Sequence, residues 1–226
     1  MNARSLPRIK TELVAEKVRR AIRQYVLSGS IEPGTQLVES QLAEQLGVSR
    51  APVREALQRL ESEGLVEYVP GKGVTVPDIT EEDLREIYKV RSALEAVAMG
   101  LAVERVDADD LTALSSMLEA MQQAAAEGDA ERVSAIDLEL HEKIWEISGN
   151  RRLQRLLTSM ADQIQMFLAL NTSIYEDLLD NCLEHETLLA ALSSGSVKDA
   201  EQLMVDHIDD AGERTISYLK SLKHRA

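Results

Sequence analysis

Apolar side chains recur at helical spacing along most of this chain, and the places where that spacing breaks mark out its elements. From Lys10 to Ser28, Leu13, Val14, Val18, Ile22, Val26 and Leu27 share one helical face, and Gly29 followed by Pro33-Gly34 stops the helix. A second run sets Leu42, Ala43 and Leu46 together and breaks at Gly47-Val48-Ser49. Glycine lets the backbone leave the helix there, and Ser49 stands where it can cap the next one. The third run carries Val53, Ala56, Leu57 and Leu60 inward and leaves Arg50, Arg54 and Arg59 on its other faces. Pro52 fits because the first turn of a helix does not need its missing N–H. Over Leu65–Val76 two short β-rich runs flank Pro70-Gly71-Lys72-Gly73, which reads as a hairpin with a glycine tip.

Beyond a short linker at 77–80, Thr80 with Asp83 three residues on offers a helix cap, and no proline follows Pro77. The rest is helical, with six helices expected: Glu81 to Val103, Asp109 to Glu127, Asp129 to Ser148, Asn150 to Asn171, Tyr175 to Ser194 and Ser196 to Lys223. Asp107-Ala-Asp-Asp, Glu127-Gly-Asp, Ser148-Gly-Asn, Asn171-Thr-Ser and Ser193-Ser-Gly-Ser punctuate them. Helices joined by such short loops form an antiparallel bundle. The expected fold class is therefore mainly α, a winged helix-turn-helix with a small β-hairpin wing followed by an all-α bundle. The corresponding organisation is a flexible arm at 1–10, the winged helix at 11–76, the linker and a bundle at 81–223.

A recognition helix presents its N-terminal turns to the major groove, which makes Ser49, Arg50, Ala51 and Arg54 the candidate contacts to double-stranded DNA. Arginine is the side chain best shaped to fork onto guanine O6 and N7 or onto a phosphate. Residues 11–76 resemble the winged helix of GntR-type bacterial transcription regulators. The signature stands here as Leu42-Ala43, Gly47-Val48-Ser49-Arg50, Pro52-Val53-Arg54-Glu55-Ala56-Leu57, Leu60, Gly64-Leu65 and the wing pair Gly71 and Gly73. The resemblance implies operator contacts by Arg50 and Arg54 and approach of the Gly71 wing tip, with Lys72 beside it, to the minor groove. Ser40 stands where one type of member carries a DNA-touching arginine, so no base preference transfers.

Charge separates the two parts. Residues 1–76 hold 11 Lys/Arg against 9 Asp/Glu, and the remainder holds 14 against 30, so the overall −14 resides in the bundle. That leaves contact with phosphates to the N-terminal part. Cys182 is the single cysteine, which excludes an intramolecular disulfide and suits a reducing cytoplasm. The N-terminus lacks the apolar run of a signal peptide, and no segment has the length of a membrane span.

Several polar side chains fall on the inward stripes of the bundle. Asp137 and His141 share a face beside Leu138, Ile144 and Trp145; His185 lies with Cys182, Leu188 and Leu192; His207 lies with Leu203, Met204 and Ala211. One carboxylate and three imidazoles from three helices suit a borderline divalent cation, zinc first, with nickel or manganese as alternatives. Arg91, on the Ile87, Tyr88, Leu94 and Ala98 stripe, needs a buried partner, either Glu95 one turn on or a bound carboxylate. This pattern resembles the FCD effector domain of the FadR subfamily over about residues 80–222, and six helices rather than seven resemble its VanR-type branch. The resemblance implies Asp137, His141, His185 and His207 as metal ligands, and Arg91, Glu95 and Asn150 at the effector site.

Together these features predict a homodimeric transcription regulator, a repressor by the usual family behaviour. It would bind a palindromic operator and respond to a small organic acid, with metal sensing as the alternative. No candidate general base accompanies the ligands, and no nucleophile or phosphate loop appears, so an enzyme is not expected.

Overall fold

A computed structural model describes residues 14–27, 31, 34–193 and 195–223. The proposed arm, Leu13, the Gly29 and Pro33 stop and His224 lie outside these residues. The chain divides into two compact units, Met1–Pro77 and Asp78–Ala226.

In the first unit, α1 (Val14–Leu27) packs on α3 (Arg50–Ser62), and α2 (Glu39–Gln45) packs beside α3. Strands β1 (Glu67–Val69) and β2 (Gly73–Thr75) pair antiparallel with Tyr68 opposite Val74. Val18, Ile22, Val26, Leu42, Ala43, Val53, Ala56, Leu57, Leu60 and Leu65 form the core, so the helical spacing carries over. Three expectations change. Val14 is 52% exposed, because Ala15 takes the inward place at that turn. Leu46 is 36% exposed, because α2 ends at Gln45 and the chain turns through Gly47 at φ +64°. That left-handed conformation admits glycine without the strain a Cβ would bring. Ser49 occupies the N-cap position of α3 in extended backbone, but its side chain makes no capping hydrogen bond. Across the unit Arg19 pairs with Glu16 and Glu63, and Arg59 pairs with Glu55 and Glu16. Arg59 therefore ties α3 to α1.

The second unit consists, among the described residues, of α4 (Glu81–Val103), α5 (Ala108–Ala126), α6 (Ala130–Ile147), α7 (Arg151–Thr172), α8 (Leu178–Ser193) and α9 (Val197–Lys223). Helix α4 runs along α9, α5 lies against α6 and α8, and α6 against α7. Gly212 permits the first pairing, since a Cβ there would stand 2.9 Å from the Tyr88 ring. Helix boundaries follow the punctuation closely. Asp107, Asp129 and Asn150 each cap the helix that follows. Helix α8 starts three residues later than expected because Asp177 Oδ1 accepts the Leu179 N–H at 2.9 Å and caps it. Thr80 and Asp83 form a reciprocal capping box on α4. Thr80→Ala is expected to cost about 1 kcal/mol in chemical denaturation, the usual worth of an N-cap. No helix among the described residues is long and apolar enough to cross a membrane.

Candidate functional site

In the first unit the four candidate DNA contacts, Ser49 at the N-cap of α3 and Arg50, Ala51 and Arg54 in its first turns, are all exposed. Arg54 is held by Glu39 of α2, with Nε donating to Oε1 and Nη2 to Oε2, both at 2.8 Å. The wing tip spans 70–72 and exposes Gly71, at φ +84°, and Lys72. The Lys72 N–H closes the turn on the Val69 carbonyl at 3.0 Å, and the Gln36 amide donates to the Lys72 carbonyl. Thus α2 braces an arginine of α3, and Gln36, three positions before α2, braces the wing.

In the second unit the inward polar stripes of α4, α6, α8 and α9 converge. Ring nitrogens of His141, His185 and His207 lie within 4.8 Å of one another. Asp137 Oδ1 stands 3.5 Å from His141 Nε2 and 3.4 Å from His185 Nε2. Asp137, His141 and His185 are no more than 1% exposed, and the His207 side chain is 9% exposed. Two of the three rings are set by a hydrogen-bond partner on the far side. His141 Nδ1 meets Glu95 Oε2 at 2.5 Å, and His185 Nδ1 meets the Asn181 carbonyl at 2.9 Å. Since a carboxylate and a carbonyl only accept, those Nδ1 atoms carry protons, and both Nε2 atoms turn toward Asp137. His207 Nδ1 lies 3.2 Å from Glu184 Oε2, out of line for a hydrogen bond.

Arg91 and Glu95 form a buried pair one turn apart on α4, with Nε donating to Oε1 at 2.6 Å. Glu95 Oε2 also accepts the Trp145 indole N–H at 2.9 Å, so this one carboxylate joins Arg91, His141 and Trp145. Burial alone would raise its pKa; the charges of His141 and Arg91, with the bonds from His141 and Trp145, outweigh burial and hold it at about 2. Burial likewise opposes ionisation of Asp137, and His185 in particular reverses that and holds it well below the usual carboxylate range. His207 is pushed down to about 4 by burial, which leaves its ring neutral and available as a donor.

The chemistry of the cluster lies in what stays unsatisfied. Asp137 Oδ1, His141 Nε2, His185 Nε2 and His207 Nδ1 are buried without a hydrogen-bond partner, and so is Arg91 Nη2. Leaving one such atom unpaired costs about 1–3 kcal/mol, and here they are gathered on the residues of one cluster. A tetrahedral cation with bonds of about 2.1 Å needs donors about 3.4 Å apart, which is the Asp137 spacing to His141 and His185. Imidazoles that donate their outer N–H to a carboxylate or backbone carbonyl are the form that metal ligands take. The residues present therefore fit a divalent cation.

Asn150 stands apart from this cluster. It is exposed, and its Oδ1 accepts the Arg152 and Leu153 N–H groups to cap α7. Four other residues belong with the cluster and were not singled out from the sequence. Asn181 Nδ2 lies 3.5 Å from Asp137 Oδ2. Glu184 faces His207 and takes Tyr175 Oη at 3.1 Å and Arg214 Nη2 at 3.0 Å. Asn181 lies four positions before His185 on α8 and Arg214 seven after His207 on α9, so helical spacing was the available signal for these two, whereas Glu184, adjacent to His185, and Tyr175, before α8, gave none.

Comparison with known proteins agrees with both units. Residues 14–76 match the gntR family of bacterial regulatory proteins, and residues 86–210 match the FCD domain. The HTH-type transcriptional regulator YdhC of Bacillus subtilis is 30% identical over 83% of this chain and 84% of its own length. The gluconate operon transcriptional repressor of the same organism is 31% identical over 88% of this chain and 83% of its own. The solved structure of E. coli McbR/YncC superimposes with a TM-score of 0.74 at 28% identity, covering 88% of this chain and 95% of that one.

Proposed function

Because this chain belongs to the GntR family of bacterial regulatory proteins, with an FCD domain behind its winged helix, we propose that it is a dimeric repressor released by a small carboxylate bound at a metal centre. The family makes it a transcription regulator and not an enzyme. Repression is the sign carried by the name of the gluconate relative. Two recognition helices of a dimer would each take half of a palindromic operator, with Ser49, Arg50, Ala51 and Arg54 in the major groove and Gly71 and Lys72 at the wing.

The observation that carries the effector reading is the set of buried, unpartnered atoms on Asp137, His141, His185, His207 and Arg91. The first four residues would hold the cation, zinc before nickel or manganese, and the cation when bound would supply the positive charge that anchors an acid. Glu95 takes only the Nε of Arg91, which leaves Nη2 for a carboxylate. Glu95 also fixes the His141 ring, and Asn181 steadies Asp137. Asn150, proposed for the effector by resemblance, acts on this reading through the helix it caps.

Any acid that releases the operator must bind the two arrangements of the protein with different affinity. The test is thermal unfolding of wild-type and Arg91→Lys protein, zinc-loaded and chelator-treated, against a panel of mono-, di- and hydroxycarboxylates. An acid that raises the melting temperature only in metal-loaded wild type supports the reading, because lysine keeps the charge but loses the fork. A large shift with metal and none with any acid overturns it in favour of a metal sensor.

A further inference from the structure

We propose that Glu39 is a positioning residue for DNA recognition: it clamps one edge of the Arg54 guanidinium so that the remaining edge is presented to a guanine. This rests on the reading of α3 as the recognition helix. Glu39 is the first residue of α2, and Leu42 and Ala43, one turn on, are buried in one core with Val53, Ala56 and Leu57 of α3. The carboxylate therefore comes from an element anchored to the helix it serves. Its two oxygens take the Nε and Nη2 protons of Arg54 at 2.8 Å each, a bidentate fit. The guanidinium has five N–H donors, and this fit leaves both on Nη1 and one on Nη2. Those form the end of the fork, which matches guanine O6 and N7.

Two contrasts set this pair apart. Arg19 and Arg59 are tied to Glu16, Glu55 and Glu63, in contacts that join α1 to α3. Arg54 instead has a side chain 62% exposed, so the pair is screened by water and adds little to stability. What it does add is order, since a solvated arginine otherwise samples many rotamers and loses that freedom on binding. The clamp also offsets the charge of Arg54, which weakens its pull on any phosphate while keeping its geometry for a base. Arg50 remains as an exposed cation nearby, close enough that its charge also lowers the Glu39 pKa, after the larger effect of Arg54.

The experiment is selection from a randomised DNA duplex pool at fixed salt by full-length wild type, Glu39→Gln and Arg54→Lys, with thermal unfolding as a control of the fold. Wild type is expected to enrich a palindromic motif. Both variants are expected to retain it but to lose about tenfold of the preference for guanine at the same position in each half-site. Glu39→Gln is also expected to bind unselected duplex more tightly, because a carboxylate has left the interface. If Glu39→Gln selects the wild-type motif unchanged while Arg54→Lys flattens it, the clamp is overturned and the regulator reading stands. If Arg54→Lys also leaves the motif unchanged, Arg54 reads no base and the inference fails. If wild type enriches nothing, operator binding and this inference fall together.

Discussion

Treatment with a chelator is expected to lower the melting temperature of the bundle by about 5–10 °C relative to zinc-loaded protein. A ligand present at about 100 times its dissociation constant, binding only the folded state, stabilises by about 2.7 kcal/mol. In a chain of this size each kcal/mol moves the transition by about 2–4 °C. Trp145 makes the measurement local. It is the only tryptophan, 1% exposed, and hydrogen-bonded to the same Glu95 that holds His141. Its fluorescence follows the second unit while circular dichroism follows both, so separate transitions of the two units will be distinguished. His185→Ala is expected to abolish the gap between loaded and stripped protein, because it removes the ring nitrogen that faces Asp137 at 3.4 Å. Equal melting temperatures for loaded and stripped wild type would remove the metal from the proposal.

Glu95→Ala is expected to give the largest loss of stability of any single substitution considered, about 3–5 kcal/mol in urea denaturation. The reason lies in the number of groups left behind. Glu95 is 0% exposed and is hydrogen-bonded to Arg91, His141 and Trp145. Truncation would strand a buried guanidinium together with two ring N–H groups. Glu95→Gln keeps the volume and one carbonyl acceptor, and should lose less. Loss of the outer hydrogen bond to His141 should also weaken zinc binding by about 10–100-fold, measured by competition with a chromophoric chelator. A Glu95→Ala protein within 1 kcal/mol of wild type, on the order of an ordinary surface substitution, would show that the Arg91 charge is balanced elsewhere.

The elements of both units were legible because local chemistry writes them. Helices α4, α5, α6, α7 and α9 begin and end within one or two residues of the sequence expectation, where Thr80, Asp107, Asp129, Asn150 and the glycines at 128, 149 and 195 stop or cap the backbone. Where the expectation failed, a single neighbour decided the outcome. Ala15 rather than Val14 faces the core, Leu46 leaves it as α2 ends, and Asp177 delays α8.

The sequence by itself determined the two-part plan, the helical period of each stripe and the identity of the polar residues that those stripes bury. Asp137 and His141 had to share a face, as did Arg91 and Glu95, because four residues make about one helical turn. Only the tertiary structure decided which faces meet. Glu95 reaches His141 across 46 positions of chain, Asn181 reaches Asp137 across 44, and Arg54 reaches Glu39 across 15. Such partners are set by how helices cross in a close-packed core, and spacing along one helix carries no record of the side chain that arrives from another.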